Sequence, residues 1–191
     1  MLIEHRITRL ATTPFHALGL AKWFASQASK PAHLDQVATS GSIATRFVQE
    51  EVRRNLCVNL IVYYGTNEVG GIAAAGPALL AKHPDSVGAP VPGVEINIVR
   101  PDGALADPDE MGLLRARGLN FPSEYINNPQ ASAKAFREGW FYPGDLASLG
   151  KDGEIYFRGR VDDLMNFNGI KIAPIDIELA LQSNPDVRQA I

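Results

Sequence analysis

The sequence predicts an α/β fold: a partial open α/β sheet, then a small antiparallel β-barrel-like subdomain, then the start of a C-terminal α+β domain. Two observations carry this expectation. In the first third, helix-like and strand-like stretches alternate, and residues 57–63 form a short Val/Ile-rich run between turn signals, which suits a buried parallel strand. In the middle third the apolar period drops to two, and the strands are separated by Pro-Asp-Gly and Lys-Asp-Gly turns.

Each element has its own signal. Leu18, Leu20, Trp23 and Phe24 fall near one helical face. Ser42 is the expected N-cap of a second helix, whose apolar stripe is Ile43, Phe47, Val48 and Val52. Val94, Ile96 and Ile98 alternate with Glu95 and Asn97, so one strand face is apolar, and Pro101-Asp102-Gly103 turns the chain. Residues 113–118 and 154–158 supply two more strands, with a helix over 129–137 opened by Pro129 between them. A last helix starts at Pro174, with Asp176 and Glu178 near its positive end and Ile177, Ala180 and Leu181 as its stripe. The changes of pattern place boundaries at 1–85, 86–160 and 161–191.

Composition excludes several classes. The chain has 191 residues, 46% hydrophobic and 20% charged, which is ordinary for a globular protein. A formal charge of -3 offers no basic excess for nucleic acid or an anionic membrane. No segment reaches the roughly 18 continuous apolar residues of a spanning helix, and residues 70–81 are interrupted by Gly76 and Pro77. The N-terminus lacks the clean apolar stretch of a signal peptide. Cys57 is the single cysteine, so no intramolecular disulfide exists, and a reducing, cytoplasmic compartment is expected. The four histidines are far apart, and no Cys/His pair has zinc-finger spacing.

Three segments carry candidate chemistry. Tyr64-Gly65-Thr66-Asn67-Glu68 follows the buried strand, and ligands of open α/β sheets bind outside the carboxyl ends of strands. There an aromatic ring can stack on a base, a hydroxyl and an amide can reach a phosphate, and a carboxylate can hold Mg²⁺. Taken alone, the segment reads more readily as a polar strand-to-helix loop. In Gly139-Trp140-Phe141-Tyr142-Pro143-Gly144-Asp145, a Pro-Gly turn fixes Asp145, and a fixed carboxylate suits a vicinal diol. An Asx turn is the plainer alternative. In Arg158-Gly159-Arg160-Val161-Asp162-Asp163, Arg160 can donate to sugar or phosphate oxygens, or simply form a surface ion pair. Thr39-Ser40-Gly41-Ser42 is similar to a phosphate-cradling loop but lacks the Gly-Lys-Ser/Thr of a P-loop.

Their order resembles the adenylate-forming superfamily of acyl-CoA synthetases, peptide-synthetase adenylation domains and luciferases. Thr39-Ser40-Gly41-Ser42 sits where such enzymes carry a Gly-rich adenine-side loop. Residues 64–68 are similar to Tyr-Gly-x-Thr-Glu, residues 86–95 to the lead into the barrel strands, and residues 139–145 to Gly-Trp…Thr-Gly-Asp. Gly159-Arg160-Val161-Asp162-Asp163, with Gly169, Ile172, Pro174, Asp176, Ile177 and Glu178, looks like the hinge signature.

The resemblance implies roles. Ser40, Gly41, Ser42, Tyr64 and Gly65 would line the adenine side, Tyr64 by stacking. Thr66 and Asn67 would approach the α-phosphate and Glu68 would hold Mg²⁺. Asp145 would take the ribose hydroxyls with help from Arg160. Asp162 would be the hinge, and Gly169 would lie on the thiol-acceptor side. The implied activity is an ATP-dependent acid–thiol ligation that forms an acyl adenylate from a carboxylic acid, with ATP/AMP, Mg²⁺, and coenzyme A or a carrier protein's phosphopantetheine as acceptor. Two positions depart from the pattern: Asn67 replaces Thr or Ser, and Pro143 replaces Thr. The phosphate loop with its lysine is expected upstream of Met1 and the C-terminal lysine beyond Ile191, since neither Lys151 nor Lys171 sits in a matching motif. The chain is therefore expected to be a fragment of such a ligase and inactive alone. The alternatives are a non-catalytic module that binds AMP or an acyl adenylate, and a part that associates with a partner chain through exposed apolar surface.

Overall fold

The computed structural model describes residues 2–27, 29–168, 170–182, 184, 187 and 190. They fall into two compact units, Met1–Val91 and Pro92–Ile191.

The first unit is an open α/β sheet. In chain order it comprises β1 (Arg9–Thr12), α1 (Pro14–Ser26), β2 (Gln36–Thr39), α2 (Arg46–Asn55), β3 (Leu60–Thr66), β4 (Gly70–Ala75), α3 (Pro77–Lys82) and β5 (Ala89–Pro90). The strands lie in sequence order; β1, β2 and β3 are parallel, and β4 and β5 are antiparallel additions. Helix α1 starts where Thr13 accepts a hydrogen bond from the His16 amide and Pro14 presets the first turn. Ala17, Ala21 and Phe24 of α1, Val48 and Val52 of α2, and Val37, Leu60 and Val62 of the sheet form one buried core. Each Val, Leu or Phe in it contributes about 1.5–3 kcal/mol by leaving water.

Two boundaries differ from expectation. The cap of α2 is Thr45, not Ser42; its hydroxyl accepts from the Val48 amide at 3.4 Å. Ile43 and Ala44 stay outside the helix because the Ala44 carbonyl is taken by the buried Gln49 amide at 2.7 Å. Strand β3 begins three residues late, since the Leu56 and Cys57 amides still close back on the Val52 carbonyl. It then runs on to Thr66 because β4 pairs beside it, making a hairpin rather than a strand-to-helix loop.

Residues 86–91 also belong to this unit, so the units divide after Val91 rather than after 85. The reason is Gly88, at φ +116°, where a Cβ would lie 2.1 Å from the Ala74 carbonyl carbon. Only glycine lets the backbone close on β4, and the Gly88 amide is fixed by Ser86 Oγ at 2.9 Å.

The second unit is antiparallel. It contains β6 (Val94–Val99), β7 (Gly112–Gly118), α4 (Pro129–Ala135), β8 (Phe136–Arg137), β9 (Trp140–Phe141), β10 (Asp145–Leu149), β11 (Ile155–Arg160), β12 (Met165–Phe167), β13 (Ile170–Ile172) and α5 (Pro174–Gln182). Six strands form one sheet in the order β11-β10-β7-β9-β8, with β6 on β7; among the described residues it does not close into a barrel. Ile96, Ile98, Leu114, Ala116, Phe141, Ala147 and Ile155 are buried on alternate positions. The expected helix over 129–137 stops at Ala135, because Phe136 turns extended and pairs with Phe141. The expected strand at 154 starts one residue later. Glu154 is instead buried, its carboxylate accepting from the Asp152 amide at 3.0 Å and the Tyr156 hydroxyl at 3.1 Å. The hairpin of β12 and β13 has no counterpart in the expectation. Among the described residues, no helix is long and apolar enough to cross a membrane.

Candidate nucleotide site

In the first unit, the carboxyl ends of three parallel strands share one edge. Thr39, the last residue of β2, pairs with Val62 of β3, and the Ser40 amide donates to Thr12 at the end of β1. Strand β3 extends four residues beyond that level, so Tyr64, Gly65 and Thr66 project past the edge. Ser40, Gly41 and Ser42 follow β2 directly and are exposed, with Gly41 at φ +87°. The sheet therefore presents the two sequence-predicted segments from neighbouring strands.

A bulge sets the last turn of this edge. The β3–β4 register shifts between Tyr64 and Gly65, and a Cβ on Gly65 would sit 2.1 Å from the Gly70 carbonyl oxygen. Bulges re-aim the side chains that follow them. Thr66 comes next, and its Oγ1 is buried with no hydrogen-bond partner among the described residues. The Thr39 Oγ1 is in the same condition. A buried hydroxyl without a partner costs about 1–3 kcal/mol, so one at the carboxyl end of β2 and one at the carboxyl end of β3 fit polar ligand groups. Thr39 joins the candidate residues through this buried hydroxyl; the sequence singled it out only within its loop, and no local signal marks the hydroxyl. Asn67 and Glu68 occupy the exposed turn between β3 and β4. An exposed carboxylate there offers a hard oxygen ligand of the kind Mg²⁺ takes.

In the second unit, Asp145 and Arg160 are brought together. They are direct cross-strand partners in β10 and β11. Arg160 Nη1 lies 3.3 Å from Asp145 Oδ1, and its Nη2 donates to the Pro143 carbonyl at 3.2 Å. The carboxylate side chain is 5% exposed and the arginine 48%. Gly144, at φ +85°, makes the turn that leads into Asp145, and its carbonyl accepts from the Val161 amide at 2.9 Å. Pro143 therefore contributes a carbonyl at the position where a threonine hydroxyl was expected. The arrangement is a buried acceptor pair clamped by a half-exposed guanidinium. It can bind a diol through the carboxylate oxygens while the arginine holds them in place.

Other expected residues stand apart from this pair. Asp162 is exposed in the turn that leads to β12. Gly169 lies outside the described residues. Cys57 is buried at the end of α2, as expected for a core thiol, and His16 pairs with its own helix cap, Thr13, at 2.9 Å.

An open parallel sheet edge with a Tyr-Gly-Thr-Asn-Glu hairpin, followed by a sheet that presents a clamped Asp, defines a protein of the adenylate-forming class. The chain belongs to the AMP-binding enzyme family, whose model matches residues 1–126. It is 39% identical over 108 residues to an oxalate–CoA ligase from Arabidopsis thaliana, a match covering 56% of this chain and 21% of that protein. Its fold matches the amide bond synthetase McbA from Marinactinospora thermotolerans with a TM-score of 0.90 and 26% identity, over 100% of this chain and 39% of that one. It also matches O-succinylbenzoate coenzyme A synthetase (MenE) from Bacillus subtilis, in complex with ATP and magnesium ion, with a TM-score of 0.87 and 27% identity, over 98% of this chain and 39% of that one. The chain thus spans well under half the length of these relatives.

Proposed function

We propose that this chain carries the adenosine side of an ATP-dependent acyl-CoA or acyl-carrier ligase. Such an enzyme joins a carboxylic acid to ATP with release of pyrophosphate, then passes the acyl group from AMP to a thiol. The observation that carries the reading is the Asp145–Arg160 pair on its Pro-Gly turn: a buried carboxylate held with its acceptors fixed. Asp145 takes the ribose hydroxyls and Arg160 orients it. Tyr64 stacks on adenine beside Ser40, Gly41, Ser42 and Gly65. Thr66 and Asn67 reach the α-phosphate, and the unpartnered Thr66 hydroxyl supports this. Glu68 holds Mg²⁺. Asp162 is the hinge, and Gly169 is on the side of the thiol acceptor, coenzyme A or phosphopantetheine. A reducing, cytoplasmic setting suits the single buried thiol. The catalytic contribution of these residues is positioning and charge stabilisation as pyrophosphate leaves.

Calorimetric titration of the chain with AMP and Mg²⁺ tests the reading. Saturable binding is expected, with Asp145→Ala weakening it at least tenfold. Binding that survives this substitution overturns the assignment. None of the lysines in these 191 residues lies in a phosphate-loop motif, so the chain alone is expected to give no pyrophosphate exchange above a blank.

A second reading, association with another chain, is supported by Phe15, Trp23 and Phe47, which are exposed on α1 and α2. Sedimentation at rising concentration should then show a growing species; a clean monomer throughout counts against it.

A further inference from the structure

The outward face of the second sheet carries a cationic cluster that the adenosine reading does not use. Strand alternation puts it there. Inward positions of β6, β7, β8 and β9 hold Ile96, Ala116, Phe136 and Phe141, so Asn97, Arg115, Arg117, Arg137 and Trp140 face the other way. Trp140 is 8% exposed because the guanidinium groups of Arg115 and Arg117 each lie 4.4 Å from its ring centre. Arg117 is neutralised by Glu95, its cross-strand partner, through two hydrogen bonds of 2.9 and 2.6 Å.

Arg115 and Arg137 are different. Among the described residues neither has a carboxylate partner. Both are held by the same phenol. Arg115 Nη1 donates to the Tyr142 hydroxyl at 3.3 Å, and the Arg137 guanidinium lies 3.8 Å over the Tyr142 ring. Arg115 Nη2 donates to Asn97 Oδ1 at 3.1 Å, and its Nε is buried with no acceptor. The Tyr142 oxygen already accepts from Arg115, so its own proton remains to donate. Two unneutralised cations and a hydroxyl donor thus converge in a chain whose net charge is -3. Like charges held this close repel each other, and an anion between them removes that cost.

We infer that Arg115, Arg137 and Tyr142 form a binding site for a phosphate-type dianion. Two guanidinium forks and a hydroxyl supply two positive charges and several donors, which match a doubly charged, many-oxygen group better than a singly charged carboxylate. The Arg117–Glu95 pair and Trp140 form the floor that keeps Arg115 in place. The anion is either free phosphate or the phosphate of an ester, which offers the same oxygens.

The chain has two tryptophans, and Trp23 is exposed, so Trp23→Phe leaves Trp140 as the sole reporter. This variant is titrated at constant ionic strength with inorganic phosphate, phenyl phosphate and acetate, following Trp140 emission. A saturable change with one or both phosphates is expected, at least tenfold tighter than with acetate. Tighter phenyl phosphate binding identifies an ester as the occupant, and tighter inorganic phosphate a free anion. Arg137→Gln, at an exposed position where the guanidinium packs on the Tyr142 ring, should weaken binding at least tenfold, and Tyr142→Phe severalfold. As a second readout, the Arg115 Nε–H resonance should shift during the titration. No saturable change in either signal, equal binding of acetate, or undiminished binding by Arg137→Gln overturns the proposal.

Discussion

At the scale of single residues, Asp145 shows how a carboxylate is made ready by its surroundings. Burial strips it of water, and Arg160 returns part of the loss through one hydrogen bond at 3.3 Å. Removing the arginine takes one charged hydrogen bond from a buried carboxylate. Arg160→Ala is therefore expected to lower unfolding stability by about 1–3 kcal/mol, read from urea midpoints, as well as weakening AMP. Arg160→Lys should recover part of the stability but less of the binding, because an ammonium cannot reach the carboxylate and the Pro143 carbonyl with one planar fork. Asp145 was legible because its turn is local: Pro143 and Gly144 announce a bend in the sequence itself. Its pairing with Arg160 is fifteen residues away along the chain, set by hairpin register, and no spacing rule reveals that.

At the scale of elements, the informative case is the β3–β4 hairpin. Residues 57–63 were legible as a strand from their Val and Ile content, yet the strand runs through Tyr64, Gly65 and Thr66, where Tyr and Thr suit a strand but Gly65 interrupts the signal. The pairing with β4 overrides local preference there. Gly65 is what allows it, and Gly65→Ala drives a Cβ into the Gly70 carbonyl. The expected result is a loss of about 1–3 kcal/mol, with faster amide exchange along β4 than along β2. The strands β1 and β2 were missed for a simpler reason. At four residues each, they are too short to show a period. The displaced cap of α2 has a third cause. Ser42 and Thr45 are both cap-forming types, with serine the better on its own, and the choice is made by Gln49, which binds the Ala44 and Pro84 carbonyls at 2.7 Å each.

At the scale of the whole molecule, stability should follow pH through Glu110. Glu110 is held down to about 2, first by hydrogen bonds from the Arg100 guanidinium and then by the Asp107 amide. A carboxylate whose folded value lies below its ordinary 4.5 contributes stability that is complete above that value. The contribution is lost as pH falls from about 4.5 toward 2. Arg100, raised by the same hydrogen bonds, remains charged throughout that window. Thermal midpoints measured from pH 6 to pH 2 should therefore fall less steeply in Glu110→Gln than in the parent chain. The net effect is modest, because the group faces solvent.

The lone thiol of Cys57 gives the molecule a built-in clock. The residue is 7% exposed at the corner where α2 hands over to β3, with its amide tied to Val52 and its thiol directed to the Asn59 carbonyl. A chromogenic disulfide reagent can reach it only when that corner opens. The rate of colour development in native buffer then times the opening of a single hinge point, with no label to introduce and no second thiol to subtract. The same property makes the chain a quiet host. A cysteine placed at Ser42 or Asp162, both exposed, would react orders of magnitude sooner than Cys57, so a dye can be set at either position without touching the one nature provided.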